Sequence, residues 1–379
     1  MPQIHGCDAF RVAMPRGRRP QSILVRLTCG DTVGWGEMAV PEAPAGPGRT
    51  GGAGGAGGAG RTDGPGGSAG PGGSGGAWAD IEERMGPALI GLDWERPEDV
   101  SAAADLGARE AAAAIDTACW DLWCRTRGLP LAHALGGTRT SIVTGARISP
   151  EATLDTVAGR VNQAVGAGHT RVTLDIRPGW DIEPVRTIRQ AFPALALVAD
   201  AGHAYTESAG HMEVLEALDS YGVAVIERPF AVGDLAGHAR LQLRVGAAVA
   251  PSVGDLETLD AAISLDAGRA LHLRLDRLGG LTAARSAHDL AYAAGWDVWC
   301  SGSGAFGIGQ AAAVALASLP GCTLPSDVSD PAGGPVFVTP PVRSSGGVVG
   351  VPLTQPGLGH EIDEERIERL ATRRMRLST

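Results

Sequence analysis

The chain has 379 residues, with 42 acidic and 32 basic side chains and a formal net charge of −10. That length can bury a large core and suggests two domains, or one barrel with an accessory domain. The acidic balance argues against nucleic acid or an anionic membrane as partner, and no apolar run is long enough to span a bilayer. All the basic side chains are arginine and none is lysine. A guanidinium stays protonated at any working pH, so lysine-type proton abstraction is excluded from the outset.

Six cysteines are scattered without zinc-like spacing and read as free thiols of a reducing compartment. Met1-Pro2-Gln3-Ile4-His5 lacks the charged-then-apolar pattern of a signal peptide, so a cytoplasmic location is expected.

In chain order, residues 1–42 read as short strands. Gly30-Asp31 is a turn signal between the β-rich run Ser22–Leu27 and Val33-Gly34-Trp35-Gly36-Glu37. Residues 43–77 form a Gly/Pro/Ser tract that cannot bury enough apolar surface to offset its ordering entropy, so disorder is expected. Ile81–Leu89 and Glu98–Arg127 carry helical periodicity. From about Ser141, short apolar runs alternate with helical stretches. The runs are Val172–Ile176, Ala196–Ala199, Val223–Ile226, Ala247–Ala250, Ala270–Leu275 and Trp296–Cys300. The helical stretches include Thr153–Ala167, Asp181–Ala191 and Ala209–Ser220. Repeated βα units predict parallel strands. No glycine fingerprint follows the first strand, which disfavours a dinucleotide-binding sheet and favours a barrel with its chemistry at the C-terminal strand ends. The segment from about Pro331 is Gly/Pro-rich, then charged and helical over Glu364–Arg376, and is expected to pack outside the barrel.

Several short motifs occur in a fixed order. They are Gly34-Trp35-Gly36-Glu37, Ala114-Ile115-Asp116-Thr117-Ala118-Cys119-Trp120-Asp121-Leu122, Leu135-Gly136-Gly137, Arg177-Pro178-Gly179-Trp180-Asp181 and Ile226-Glu227-Arg228-Pro229. Arg277-Leu278-Gly279-Gly280, Val298-Trp299-Cys300, Gly307-Ile308-Gly309 and Pro356-Gly357-Leu358-Gly359 complete the series. With these the chain resembles the enolase superfamily, in the branch of o-succinylbenzoate synthase and N-succinylamino acid racemase. The resemblance implies an α/β fold. A modified (β/α)₇β TIM-like barrel over about 126–330 carries an α+β capping domain over 1–125, and the segment 331–379 returns to the cap. It also implies Mg²⁺ held by three acids, which stabilises an enediolate while one lysine removes the α-proton and a second faces it.

Matched by position, the first metal acid of the family falls on Asp200 and the second on Glu227, both retained. The third falls on Ser252, a poor Mg²⁺ ligand, and the acid after it on Val253. The Lys-x-Lys pair falls on Thr173 and Asp175, and the facing lysine on Arg274. A loop glutamate falls on Ala305 and an asparagine on Gly202. The loss of acids as well as lysines goes beyond a compositional bias against lysine.

Strand alternation places Thr173 and Asp175 in the barrel interior, with His272 and Arg274 also inward. Asp175 has two functional readings: it completes a metal site with Asp200 and Glu227, or it acts as a base. Structurally, it pairs with Arg274. Arg274 can orient a carboxylate but cannot abstract a proton. His272 is the residue of suitable type for acid–base work, with His203 as a second imidazole and Tyr205 in the same loop. Asp116, Trp120 and Asp121 are expected to pack and cap. The expected function is a diverged isomerase or lyase acting on a small carboxylate or N-acylamino acid without lysine. The alternative is an inactive barrel that binds a ligand or partner. A homo-oligomer is expected.

Overall fold

The computed structural model describes residues 2–13, 21–40, 74–103, 109–149, 153–302, 306–328 and 336–379. Strands β1 (Gly6–Ala13), β2 (Gln21–Cys29) and β3 (Thr32–Val40) form an antiparallel meander, and the β2–β3 hairpin turns at the predicted Gly30-Asp31. Helix α1 (Arg109–Arg127) lies across this sheet. Its close approach explains two glycines. A Cβ on Gly34 or Gly36 would overlap the α1 backbone at Ala118 or Ala114, so only glycine lets the hairpin touch the helix. The predicted structureless tract lies outside the described residues up to 73, but its last residues begin a helix, Ser74–Ala79. Ala77 and Trp78 bury against the sheet core, and this apolar anchor holds the helix in place despite the glycines that open it.

The C-terminal segment corrects one expectation. Helix ends at Leu370, and Ala371–Ser378 is a strand paired antiparallel to β1 on the cap sheet. Met375 buries on one face while the arginines on either side of it stay exposed. That alternation has period two, whereas the run of charge had been read as a helix.

The second unit begins with a strand that the sequence reading did not single out, β4 (Gly145–Ile148). There follow β5 (Arg171–Asp175), β6 (Ala196–Asp200), β7 (Val225–Glu227) and β8 (Ala248–Ala250), all hydrogen-bonded in parallel order. β9 (Ala270–Arg274) and β10 (Asp297–Ser301) form a parallel pair. Residues 326–327 close the ring, because Ser326 bridges Thr144 and Asp327 bridges Ser301. Each strand is followed by a helix, from Leu154–Gly166 round to Ile308–Ala317. Side-chain oxygens of Thr153, Asp181, Asp234 and Asp255 cap four of them, satisfying backbone N–H groups that a helix start leaves open. The result is the capped (β/α)₇β barrel that the motifs imply. Among the described residues no helix is long and apolar enough to cross a membrane.

Gly36→Ala should destabilise the fold by about 3 kcal/mol, because the added methyl meets backbone that cannot give way. Gly159→Ala, in helix Leu154–Gly166 with open space around it, should stabilise by about 0.5–1 kcal/mol. Urea melts of the two variants read both signs.

Candidate functional site

Parallel pairing sets the geometry at the C-terminal rim of the barrel. Asp175 is the register partner of Asp200, and Asp200 of Glu227, so three carboxylates stand abreast on adjacent strands. Neighbouring strands are about 4.8 Å apart, close enough that three bare charges would repel strongly. The neutralising group is Arg147, which the sequence reading overlooked. Its Nη1 donates to Asp175 Oδ1 at 2.5 Å and to Asp200 Oδ2, and its Nη2 donates to Glu227 Oε2 at 3.1 Å. Burial opposes charge on this guanidinium, but Glu227, Asp200 and Asp175 outweigh that and raise its pKa further, so it is fixed as a cation. Arg228 supplies a second cation, with Nε 3.0 Å from Asp200 Oδ1 and Nη2 on Asp200 Oδ2.

The expected Asp175–Arg274 pair is not formed. Arg274 forks onto Asp276, two residues along, with Nη2–Oδ2 at 2.8 Å. Asp175 is engaged by Arg147 from the adjacent strand instead. Burial raises the pKa of Asp175 and Arg147 opposes the shift.

Thr173 faces inward as expected but is committed to structure. The buried Arg171 donates to its Oγ1 at 3.0 Å and to Asp327 Oδ1 at 2.7 Å, closing the barrel floor beneath the rim. Tyr205 is also structural, donating its hydroxyl to Asp181 Oδ2 at 3.0 Å. Gly202 donates its N–H to Asp200 Oδ1 at 3.0 Å from a backbone with φ +55°. Ala305 lies outside the described residues.

His272 sits at the centre of what remains. Its ring stacks on Trp299 with centroids 4.6 Å apart, and its Nδ1 lies 2.8 Å from Glu227 Oε1. The Nδ1–Glu227 contact fixes the orientation of the ring and leaves Nε2 as its other polar atom. Among the described residues Nε2 is buried and has no hydrogen-bond partner. Burial pushes the Glu227 carboxyl up, but His272, Arg147 and Arg228 together hold it well below the usual carboxylate range. His272 and Glu227 line a cavity of about 230 Å³ with His203, Arg228, Ser252, Arg274 and Arg277. His203 adopts φ +67° and its Nδ1 donates to the Phe230 carbonyl at 2.7 Å, and Arg228 beside it has φ +52°. These two non-glycine residues, each in the loop after its strand, hold a sparsely populated backbone conformation at the cavity wall.

The residues as arranged do not fit a divalent metal. Asp175, Asp200 and Glu227 turn their oxygens to a guanidinium, and the position of a third ligand is Ser252. Among the described residues no group of three His, Cys, Asp or Glu side chains is arranged to hold an ion. Asp116 and Asp121 lie outside the pocket. Asp116 accepts the N–H and O–H of Thr282 across the seam between cap and barrel, and Asp121 accepts N–H groups from the cap sheet and the tail, as packing residues would.

Residues 156–366 match the enolase C-terminal domain-like family, and residues 49–136 match the mandelate racemase / muconate lactonizing enzyme N-terminal domain. An o-succinylbenzoate synthase of Geobacillus kaustophilus is 35% identical over 298 residues, 77% of this chain and 79% of that protein. An N-succinylamino acid racemase of Amycolatopsis is 36% identical over 272 residues, 70% of this chain and 73% of that protein. The fold superposes on an enolase-superfamily protein from Listeria innocua with a TM-score of 0.85, over all of both chains at 24% identity.

Asp200→Ala strips an acceptor from two guanidinia and the Gly202 N–H, and should cost about 3 kcal/mol in a urea melt. Glu227 titrates lower in the folded chain than in the unfolded one. Its pairing therefore stabilises the fold above the ordinary value of 4.5 and is lost as pH falls through the lower, folded value. Glu227→Gln should lower Tm at neutral pH and flatten the fall of Tm below about pH 4.5. An unchanged acid limb would contradict the pairing.

Proposed function

The chain belongs to the enolase superfamily, and on that footing we propose that it is a diverged member acting on a small carboxylate. In this reading the His272–Glu227 pair moves the proton in place of lysine. The observation that carries it is the unpartnered, buried Nε2 of His272, whose opposite nitrogen is pinned by an ionised carboxylate. Nε2 accepts a proton from carbon adjacent to the substrate carboxylate and returns it during isomerisation, elimination or cyclisation. Glu227, kept ionised, stabilises the imidazolium that forms. The guanidinia of Arg228, Arg274 and Arg277 on the same cavity hold the carboxylate and offset the negative charge that develops on it. Ser252 adds a hydroxyl donor to the wall.

A binding-only reading draws on a different observation: the Thr173 hydroxyl and the Asp175 carboxylate are already engaged by arginines. The two readings separate on a panel of N-succinylamino acids, succinylbenzoate-type acids and shorter carboxylates. Turnover of at least one is expected, with His272→Asn lowering kcat by about 10²–10⁴-fold while circular dichroism stays native. Turnover unchanged in His272→Asn removes the assignment. A ligand that raises Tm but is never converted favours the binding-only barrel.

A further inference from the structure

We propose that Arg147 is a built-in monocation that takes the position of a divalent metal at this barrel rim, so that the three-carboxylate cluster is complete without one. The metal ligands implied by resemblance at Asp200 and Glu227 are both present, and Asp175 adds a third acid in register with them. Such a set, left bare, would attract a hard cation. The guanidinium contacts one oxygen of each acid and reaches them from β4, the strand next to the one that carries Asp175. Arg228 occupies both oxygens of Asp200, and His272 the remaining oxygen of Glu227. Asp200 and Glu227 therefore keep no oxygen that lacks a cationic or imidazole partner. Two guanidinia against three carboxylates leave a net charge of about −1, too little to draw a dication out of its hydration shell.

The geometry also shows what the substitution leaves open. Three of the five N–H donors of Arg147 are committed to the acids, and its side chain keeps 31% of its surface exposed. A guanidinium cannot leave with chelator, so the rim charge is permanent.

This inference concerns cation occupancy alone and stands whether or not His272 transfers a proton. Mn²⁺ binding is read by electron paramagnetic resonance and titration calorimetry on the full chain, and Tm is read with EDTA and with Mg²⁺. Wild type should show no saturable Mn²⁺ site and the same Tm in both buffers. Arg147→Ser should lose stability in EDTA, recover it with Mn²⁺, and bind Mn²⁺ at least about tenfold tighter than wild type. Asp200→Asn added to Arg147→Ser should abolish that binding. Stoichiometric Mn²⁺ binding by wild type that is lost in Asp200→Asn overturns the proposal, as does a folded Arg147→Ser that binds no Mn²⁺. If Arg147→Ser fails to fold in either buffer, the wild-type titration decides alone.

Discussion

Three carboxylates carried abreast by three parallel strands must be neutralised from a neighbouring position, and that constraint organises the rim of this barrel. The register that aligns Asp175, Asp200 and Glu227 is a property of the backbone ladder and cannot be relaxed by rotating a side chain. Arg147 is close enough on β4, and long enough, to touch all three. Once it is in place, Arg274 turns to Asp276, Arg228 closes over Asp200, and Glu227 has an oxygen left for His272. The floor repeats the logic on a smaller scale. The buried Arg171 finds Asp327 and the Thr173 hydroxyl, with Trp299 alongside. Arginine without lysine suits such a site, since one planar fork can serve several oxygens at fixed angles.

Much of the fold could be read from pattern. Alternating apolar runs and helices over 141–328 announced parallel βα repeats, and the strand limits in the structure differ from those runs by only a residue or two. The tail misled because Glu364–Arg376 is rich in charge throughout, with few apolar residues to mark a period. Its strand half shows itself only through Met375, and only when β1 is known to lie beside it. Of the site, Asp175, Asp200, Glu227 and Arg274 were legible because each ends an apolar strand with a side chain that carries chemistry, and His272 because it interrupts one two residues earlier, on the same face as Arg274. Arg147 was not. Its strand is the four-residue segment Gly-Ala-Arg-Ile, too short for an apolar run and opened by glycine. The alternation rule, applied to a strand ending at Ile148, would have placed it inward with Gly145. Partner choice was illegible in principle. Arg274 choosing Asp276 over Asp175 depends on distances that no spacing rule supplies.

Three further buried acids hold the cap in place, two of them, Glu37 and Asp116, by accepting from the barrel and the third, Asp121, by joining the cap to the tail. Glu37 accepts the N–H groups of Phe306 at 2.9 Å and Gly309 at 3.0 Å. Asp116 accepts the hydroxyl of Thr282 at 2.6 Å and its N–H at 3.0 Å, and Trp120 donates to the same hydroxyl at 2.9 Å. Asp121 accepts from Trp35 at 2.9 Å and from Leu358 at 2.8 Å, tying sheet, helix and tail at one residue. Burial raises the pKa of Asp116 and Asp121, so each donor they lose on separation would leave an acid in apolar surroundings with its demand unmet.

The seam therefore behaves as a keyed joint and not as a greasy bearing. Apolar faces slide at little cost, whereas Glu37 and Asp116 accept their barrel partners at one setting only. Because Glu37 grips the loop residue Phe306 and the helix start at Gly309, the cap fixes the frame from which the last barrel loop extends. A cap taken from a relative would fit only if it brought acids to the points where Glu37 and Asp116 meet the barrel. For protein engineers, cap and barrel in this chain are a single heritable part, to be exchanged together or left alone.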